Sequence, residues 1–321
     1  MDDPLTILQE ITPCLSHWNI KPASIELASH SENIVYKVAA QDGTEYALRV
    51  HRPGYHTLAE LKSEQIWTDA LVQFGMRVPV AYPTASGDYY IGVECGGTKR
   101  QIGLIGWLEG YSLDSVIAPV GEADFPLQMI REAGAICAQL HNQATGWRPP
   151  PEFIRPHLNL QGLMGEEPIW GRFWEVPSLT ATQRGTIVGL RNQITRRLAG
   201  YGEPSTTYSM IHADLHEENL LVTDDGLIVI DFDDSGFGWH QYDLAVTLFA
   251  HSDRSDFDSI RDALIEGYRT QRDLSDEDLS LLDLFILVRT LVLIGWANAR
   301  PEIGRDDYLP FLIDKACRAR I

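Results

Sequence analysis

Apolar and polar positions alternate along the early part of the chain and recur at helical spacing along most of the rest. Between Ile25 and Val50 the runs ENIVYKVAA and TEYALRV are rich in β-branched and aromatic residues. They flank Gln41-Asp42-Gly43, a turn signal, and predict an antiparallel hairpin. Apolar Leu58, Leu61, Ile66, Ala70 and Leu71 then fall on one stripe and predict a helix over Leu58–Phe74. Strand-like YYIGVE and RQIGLIGWLEG follow, ending near residue 108, so the first hundred or so residues read as a small sheet carrying one helix. Beyond them the period changes. MIREAGAICAQLHNQA puts Ile130, Ala133, Cys137 and Leu140 on one face, and further helical patterns cover Thr182–Leu198, Ser259–Gln271 and Leu281–Trp296. LLV and LIVI, on either side of Asp224-Asp225-Gly226, predict a second hairpin. No internal repeat is visible.

The stretch from Thr145 to Pro177 fits neither period and gathers Trp147, Pro149, Pro150, Pro151, Phe153, Trp170 and Trp174. It is open to two readings: a surface loop pinned by buried aromatics, or a lid or substrate wall.

Charge narrows the choice of partners. The 321 residues hold 26 Lys+Arg and 45 Asp+Glu, a formal net charge of −19. Such a chain repels phosphate backbones and anionic lipid, so neither nucleic acid nor membrane is expected as a partner. An anionic ligand would need a local positive focus or a metal. The Leu281–Trp296 stretch carries Asp283 and Arg289 and falls short of the ~20 apolar residues of a membrane span, so a buried helix is expected. The opening MDDPLTILQE lacks the basic and apolar regions of a signal peptide. Cys14, Cys95, Cys137 and Cys317 are scattered without a C-x-x-C pair, which suits reduced thiols and a cytoplasmic location.

The densest chemistry lies in MIHADLHEENLLVTDDGLIVIDFDDSGFG. Closing the LLV–LIVI hairpin would bring Asn219, at the start of one strand, beside Asp231, at the end of the other. A carboxylate and an amide oxygen held together are hard ligands suited to Mg²⁺, which leaves coordination positions for phosphate. Asp214 would lie in the loop entering the hairpin, placed to accept a proton.

His-Ala-Asp-Leu-His-Glu-Glu-Asn-Leu followed by Ile-Asp-Phe-Asp-Asp resembles the aminoglycoside phosphotransferase and choline kinase-like superfamily, relatives of the protein kinases. Within it the chain is most similar to bacterial homoserine kinase-like and stress-response kinase-like members. SHSENIVYKV resembles the nucleotide loop, YALRV the third strand, LAELKSEQIW the helix bearing an ion-pair glutamate, and GAICAQLH the helix entering the large lobe; WHQYDLA also fits.

The resemblance implies a bilobal, protein kinase-like α+β fold. Residues 1–105 would form a small antiparallel β-rich lobe that binds nucleotide, and residues 106–321 a larger, mainly helical lobe for catalysis and acceptor binding. It implies ATP and Mg²⁺ as cofactors and transfer of the γ-phosphate to a hydroxyl, on a small metabolite or on a protein Ser/Thr. Asp214 would accept or orient the hydroxyl proton, Asn219 and Asp231 would hold the metal, and Ser31 and Asn33 would belong to the nucleotide loop. Leu104 to Leu108 would form the hinge whose backbone meets adenine, with Ile105 and Trp107 expected beside the base. His212 is expected to support the loop, and His216 is open to a bland reading as a solvent-facing loop residue.

Two departures stand out. Arg49 replaces the third-strand lysine; it keeps a permanent charge and offers a planar fork to phosphate oxygens. Its partner would be Glu64 or Glu60, one turn apart on the same helix face, and spacing favours Glu64 by resemblance. The nucleotide loop Ser29-His30-Ser31-Glu32-Asn33 contains no glycine.

Other readings compete. Arg49 is compatible with a pseudokinase that binds nucleotide without turnover. His212, Asp214 and His251, with Arg254 nearby, superficially match a 2-His-1-carboxylate iron oxygenase, which would need a double-layered β-barrel. For the acceptor, Asp233, Asp234, Asp243 and Glu175 could attract a cation, although Asp243 is expected rather to brace the large lobe. Trp170, Trp174, Trp239 and Tyr242 would line a pocket or fill the core, with core favoured for at least half.

Overall fold

A computed structural model describes residues 3–117, 126–301 and 307–320. The chain divides into two compact units: Met1–Glu109 with Pro149–Ile154, and Gly110–Arg148 with Arg155–Ile321.

The first unit is an antiparallel sheet in the order β1-β2-β3-β5-β4, with β1 Pro22–His30, β2 Ile34–Ala40, β3 Glu45–Val50, β4 Tyr90–Cys95 and β5 Thr98–Gly106. The β2–β3 hairpin closes through Ala40 N–H to the Thr44 carbonyl (2.8 Å), with Gly43 at φ 88 in the left-handed region that the turn requires. Alternation then sorts the faces. Ile34, Tyr36 and Val38 of β2, Leu48 and Val50 of β3, and Ile102 and Leu104 of β5 join Ile7, Ile11, Leu15 and Trp18 in one buried cluster. Ile7 and Ile11 come from α1 (Pro4–Ile11), and Leu15 and Trp18 from a 3₁₀ turn, two elements that the sequence reading did not anticipate.

Helix α2 spans Leu58–Phe74, as its apolar stripe predicts. Thr57 and Glu60 form a reciprocal capping box at its start, and Gly75, at φ 98, ends it.

The second unit is mainly helical. Its helices are α3 (Leu113–Val116), α4 (Leu127–Gly146), α5 (Leu160–Met164), α6 (Ala181–Tyr201), α7 (His240–Phe249), α8 (Phe257–Arg269), α9 (Asp276–Leu279), α10 (Leu282–Asn298) and α11 (Tyr308–Arg318). Two small sheets accompany them: β10-β9-β6 and β7-β11-β8, from β6 Tyr111–Ser112, β7 His157–Leu158, β8 Tyr208–Ile211, β9 Leu220–Thr223, β10 Gly226–Val229 and β11 Gly236–Trp239.

Helices α4 and α8 cross at glycines. A Cβ on Gly134 would lie 2.1 Å from the Leu264 carbonyl oxygen, and one on Gly267 only 1.8 Å from that of Arg131. Any larger residue would push these backbones apart. The stretch Asp276–Asn298 is long and apolar enough to cross a membrane by composition, but α10 is buried along most of its length and packs on α7 and α11.

Trp170, Trp174, Trp239 and Tyr242 are all buried, so none is an open pocket wall. Between Thr145 and Pro177, Trp170, Phe173 and Trp174 are buried and Trp147 and Phe153 half-buried, which favours the pinned-loop reading of that stretch.

Candidate active site

The site of the second unit is built outward from the α4–α8 crossing. That close approach lets His141 of α4 meet the Tyr268 hydroxyl of α8 at 2.9 Å through Nδ1, while Nε2 lies 3.0 Å from Asp243 of α7. Burial holds His141 neutral, its pKa well below the ordinary value, so Nε2–H donates to Asp243 and Nδ1 accepts from Tyr268.

Asp243 spends its carboxylate on the backbone of the HxD loop. It accepts from His212 N–H at 2.9 Å and from Ala213 N–H at 2.6 Å, which secures Ala213 in the left-handed region at φ 67. Desolvation raises the Asp243 pKa to about 6 against the pull of these donors. Fully buried and so engaged, Asp243 braces the loop and is not an open anionic site for a cationic acceptor.

The braced loop presents Asp214, whose carboxylate is held from two sides. Arg289 of α10 donates to Oδ1 at 2.5 Å; His216 Nε2 (3.2 Å) and Asn219 Nδ2 (3.3 Å) reach Oδ2. Burial pushes the Asp214 pKa up, but the charges of His216 and Arg289 outweigh it and hold the group well below the carboxylate range. His216 therefore does not simply face solvent: the neighbouring carboxylate recruits its ring and raises its pKa despite burial.

His212 has the supporting place expected of it. Its Nε2 donates to the Ile230 carbonyl at 3.0 Å, and its ring lies 4.8 Å from that of Phe232.

Strands β9 and β10 form the predicted hairpin. Beyond their pairing, Ile230 N–H donates to the Asn219 carbonyl at 3.0 Å, which brings the backbone before Asp231 against Asn219. Asp231 is exposed and adopts φ 60, in the left-handed region that aspartate enters more readily than most non-glycine residues. The Asn219 amide nitrogen is spent on the Asp214 carbonyl (2.9 Å) and carboxylate, which turns its oxygen to the other side. An amide oxygen and an exposed carboxylate form a hard donor set that fits a divalent cation.

In the first unit, Arg49 on β3 meets Glu64 on α2, Nη1 to Oε1 at 2.5 Å, and both side chains are buried. This decides between the two glutamates: Glu60 is committed to the capping box. Asn33 is buried and its side-chain oxygen accepts from Arg52 N–H at 3.1 Å; Ser31 N–H donates to the Asn33 carbonyl, also at 3.1 Å. The glycine-free segment 29–33 is thus held by polar groups of its own and by the Arg52 backbone. Ile105 lies on β5 opposite Ala47, and Trp107 N–H is committed to the Glu45 carbonyl at 3.2 Å. Any base contact from Trp107 falls to its other groups.

Among the described residues, the iron-oxygenase constellation is not assembled. His251 pairs with Glu217 and Arg254 with Asp256. The sheets have five, three and three strands and form no double-layered barrel. Among those residues the one group of three or more His, Cys, Asp or Glu side chains placed to share a metal is Cys137, His141 and Asp243. Both ring nitrogens of that histidine already serve the buried network. Glu175 pairs with Arg172. The sequence reading missed Arg289, a charged residue inside an otherwise apolar helix; its place among LFILV and TLVLI was the available signal.

Residues 24–278 match the model of the phosphotransferase enzyme family. An uncharacterized protein of Deinococcus radiodurans is 28% identical over 267 residues, covering 81% of this chain and 73% of its own. The solved structure of a microcompartment-associated aminopropanol kinase is 29% identical, with a TM-score of 0.83 over 96% of this chain and 94% of that one. Amicoumacin kinase hAmiN, solved with AMP-PNP, Ca²⁺ and Ami, gives a TM-score of 0.79 at 18% identity, covering 99% and 93% of the two chains. At that identity it speaks for the fold alone.

Proposed function

From the premise that this chain belongs to the phosphotransferase enzyme family, and is a kinase acting on an alcohol group, we propose that it transfers the γ-phosphoryl group of ATP, with Mg²⁺, to the hydroxyl of a small metabolite. The observation that carries this reading is Asp214, fastened by Arg289, His216 and Asn219 at the mouth of a hairpin whose other strand leads into Asp231.

Residues 1–105 are assigned to nucleotide binding and residues 106–321 to catalysis and the acceptor. Arg49, held by Glu64, would meet phosphate oxygens with its permanently charged guanidinium. Ser31 and Asn33 shape the loop over the phosphates, and Ile105 and Trp107 border the base. Asn219 and Asp231 would hold Mg²⁺, which when bound neutralises the phosphate charge.

Asp214 accepts a hydrogen bond from the acceptor hydroxyl and aims its oxygen at the γ-phosphorus. As that O–P bond forms, the bond from the γ-phosphorus to the β–γ bridging oxygen breaks, ADP leaves, and the hydroxyl proton passes to the carboxylate. So acidic a carboxylate is a weak base, so orienting the hydroxyl is its main contribution and proton transfer comes late, in keeping with a loose transition state. The free thiols Cys14, Cys95, Cys137 and Cys317 support placing the enzyme in the reducing cytoplasm.

The deciding assay measures ADP release with ATP and Mg²⁺ against small hydroxyl compounds, amino alcohols such as aminopropanol first, and against a Ser/Thr peptide. Acceptor-dependent release that EDTA abolishes is expected with a small compound. ATP binding without release for any acceptor would instead support the pseudokinase reading, and release with the peptide alone would move the acceptor to protein.

A further inference from the structure

We infer that Arg155 is a positioning residue for the carboxylate of Asp231: its buried guanidinium fastens the loop after Asp231 and so fixes where that carboxylate meets a divalent cation. The inference rests on the reading of Asp231 as a metal ligand.

Asp231, at φ 60, lies in the left-handed region, which aspartate tolerates but which the backbone on both sides here fixes. Before Asp231 the constraint is Ile230, whose N–H is held by the Asn219 carbonyl and whose carbonyl is held by His212, each at 3.0 Å. After Asp231 the constraint is Arg155. Its Nε donates to the Ser235 carbonyl at 2.6 Å; one terminal nitrogen reaches the Phe232 carbonyl at 3.3 Å and also the Asp233 carbonyl. The Phe232 carbonyl further accepts from Ser235 N–H (3.1 Å) and Ser235 Oγ (2.7 Å), closing a tight turn.

Three carbonyl oxygens thus converge on one planar fork in a buried place, with Arg155 only 4% exposed. Carbonyl dipoles brought together repel one another unless a donor sits between them, and a guanidinium supplies several donors in a rigid plane where an ammonium supplies one compact charge. The residues on both sides of Asp231 are immobilised while its own side chain stays exposed. That division suits a ligand whose backbone must be set before the metal arrives.

The test uses Mn²⁺ as a spin-visible substitute for Mg²⁺, with free Mn²⁺ read by electron paramagnetic resonance in the presence of ADP. Wild type, Asp231→Asn, Arg155→Lys and Ser235→Ala are compared, and thermal unfolding of the same samples reports which variants are folded. Wild type should take up Mn²⁺ with ADP, and Asp231→Asn should lose that uptake. Folded Arg155→Lys should bind Mn²⁺ on the order of ten- to a hundredfold more weakly, the usual range for outer-shell partners of a metal site. Ser235→Ala, which loosens the same turn, should weaken it less. Wild-type Mn²⁺ affinity in folded Arg155→Lys would overturn this inference alone. If Arg155→Lys does not fold, unchanged affinity in Ser235→Ala overturns it. Wild type that takes up no Mn²⁺ with ADP would overturn the functional reading, and this inference with it.

Discussion

Arg49–Glu64 in the first unit and Arg289–Asp214 in the second close at the same 2.5 Å between a guanidinium nitrogen and a carboxylate oxygen. Their surroundings differ in how far they open to solvent. Both side chains of the first pair are sealed, Arg49 at 7% and Glu64 at 3% exposed, so that pair is a buried tie between β3 and α2. Asp214 keeps 23% of its side chain open while Arg289 is sunk in α10, so a ligand at the second pair would be met through the carboxylate. Under the proposed function the same contact would steady an arginine in one unit and an aspartate in the other.

Removing the working group of the second pair should have the largest effect. Asp214→Ala is expected to lower kcat by about 10²- to 10⁴-fold, the usual worth of a positioned proton acceptor, with ATP affinity retained. Steady-state kinetics with the identified acceptor, alongside ATP titration calorimetry, reads both quantities. Wild-type turnover in this variant would take Asp214 out of the chemistry.

Removing the working group of the first pair comes next. Arg49→Ala should weaken ATP by roughly ten- to a hundredfold, about 1.5–3 kcal/mol of charge-assisted hydrogen bonding, and leave adenosine unaffected. Arg49→Lys should recover part of the loss, since it keeps the charge without the fork. Equal losses for ATP and adenosine would mean that Arg49 only supports the strand.

Arg289→Met removes a positioning partner instead of a working group, so its effect should be smaller: about tenfold in kcat, with the KM for ATP unchanged. A matching rise in the KM for ATP would contradict that positioning role. The smallest change is expected of Glu60→Ala. It breaks the capping box of α2 and leaves Arg49–Glu64 alone, costing about 0.5–1 kcal/mol of stability with no change in ATP affinity. Thermal melts and the same calorimetry check it, and a loss of ATP affinity would reopen the choice between Glu60 and Glu64.

Local chemistry was legible in the sequence because its causes are local. The β2–β3 and β9–β10 hairpins follow from alternation interrupted by Asp-Gly turns, and α2 has the predicted ends because its apolar stripe lies between Thr57 and Gly75. The contiguous stretch from His212 to Asp234 carried the identity of the candidate site, since Asp214, Asn219 and Asp231 share one loop and hairpin. What the tertiary structure alone decided joins segments far apart. Arg289 lies 75 residues from Asp214, Asp243 is 102 from His141, and Arg155 is 80 from the Ser235 carbonyl it holds. No periodicity or spacing rule records such pairs. They exist because a buried charge must find a partner wherever packing places one, just as the approach of α4 to α8 at Gly134 and Gly267 sets His141 beside Tyr268. The same reason settles Glu64 against Glu60. Both lie on one helix face, but only packing of α2 on the sheet shows which carboxylate reaches Arg49 and which stays at the helix end as a cap.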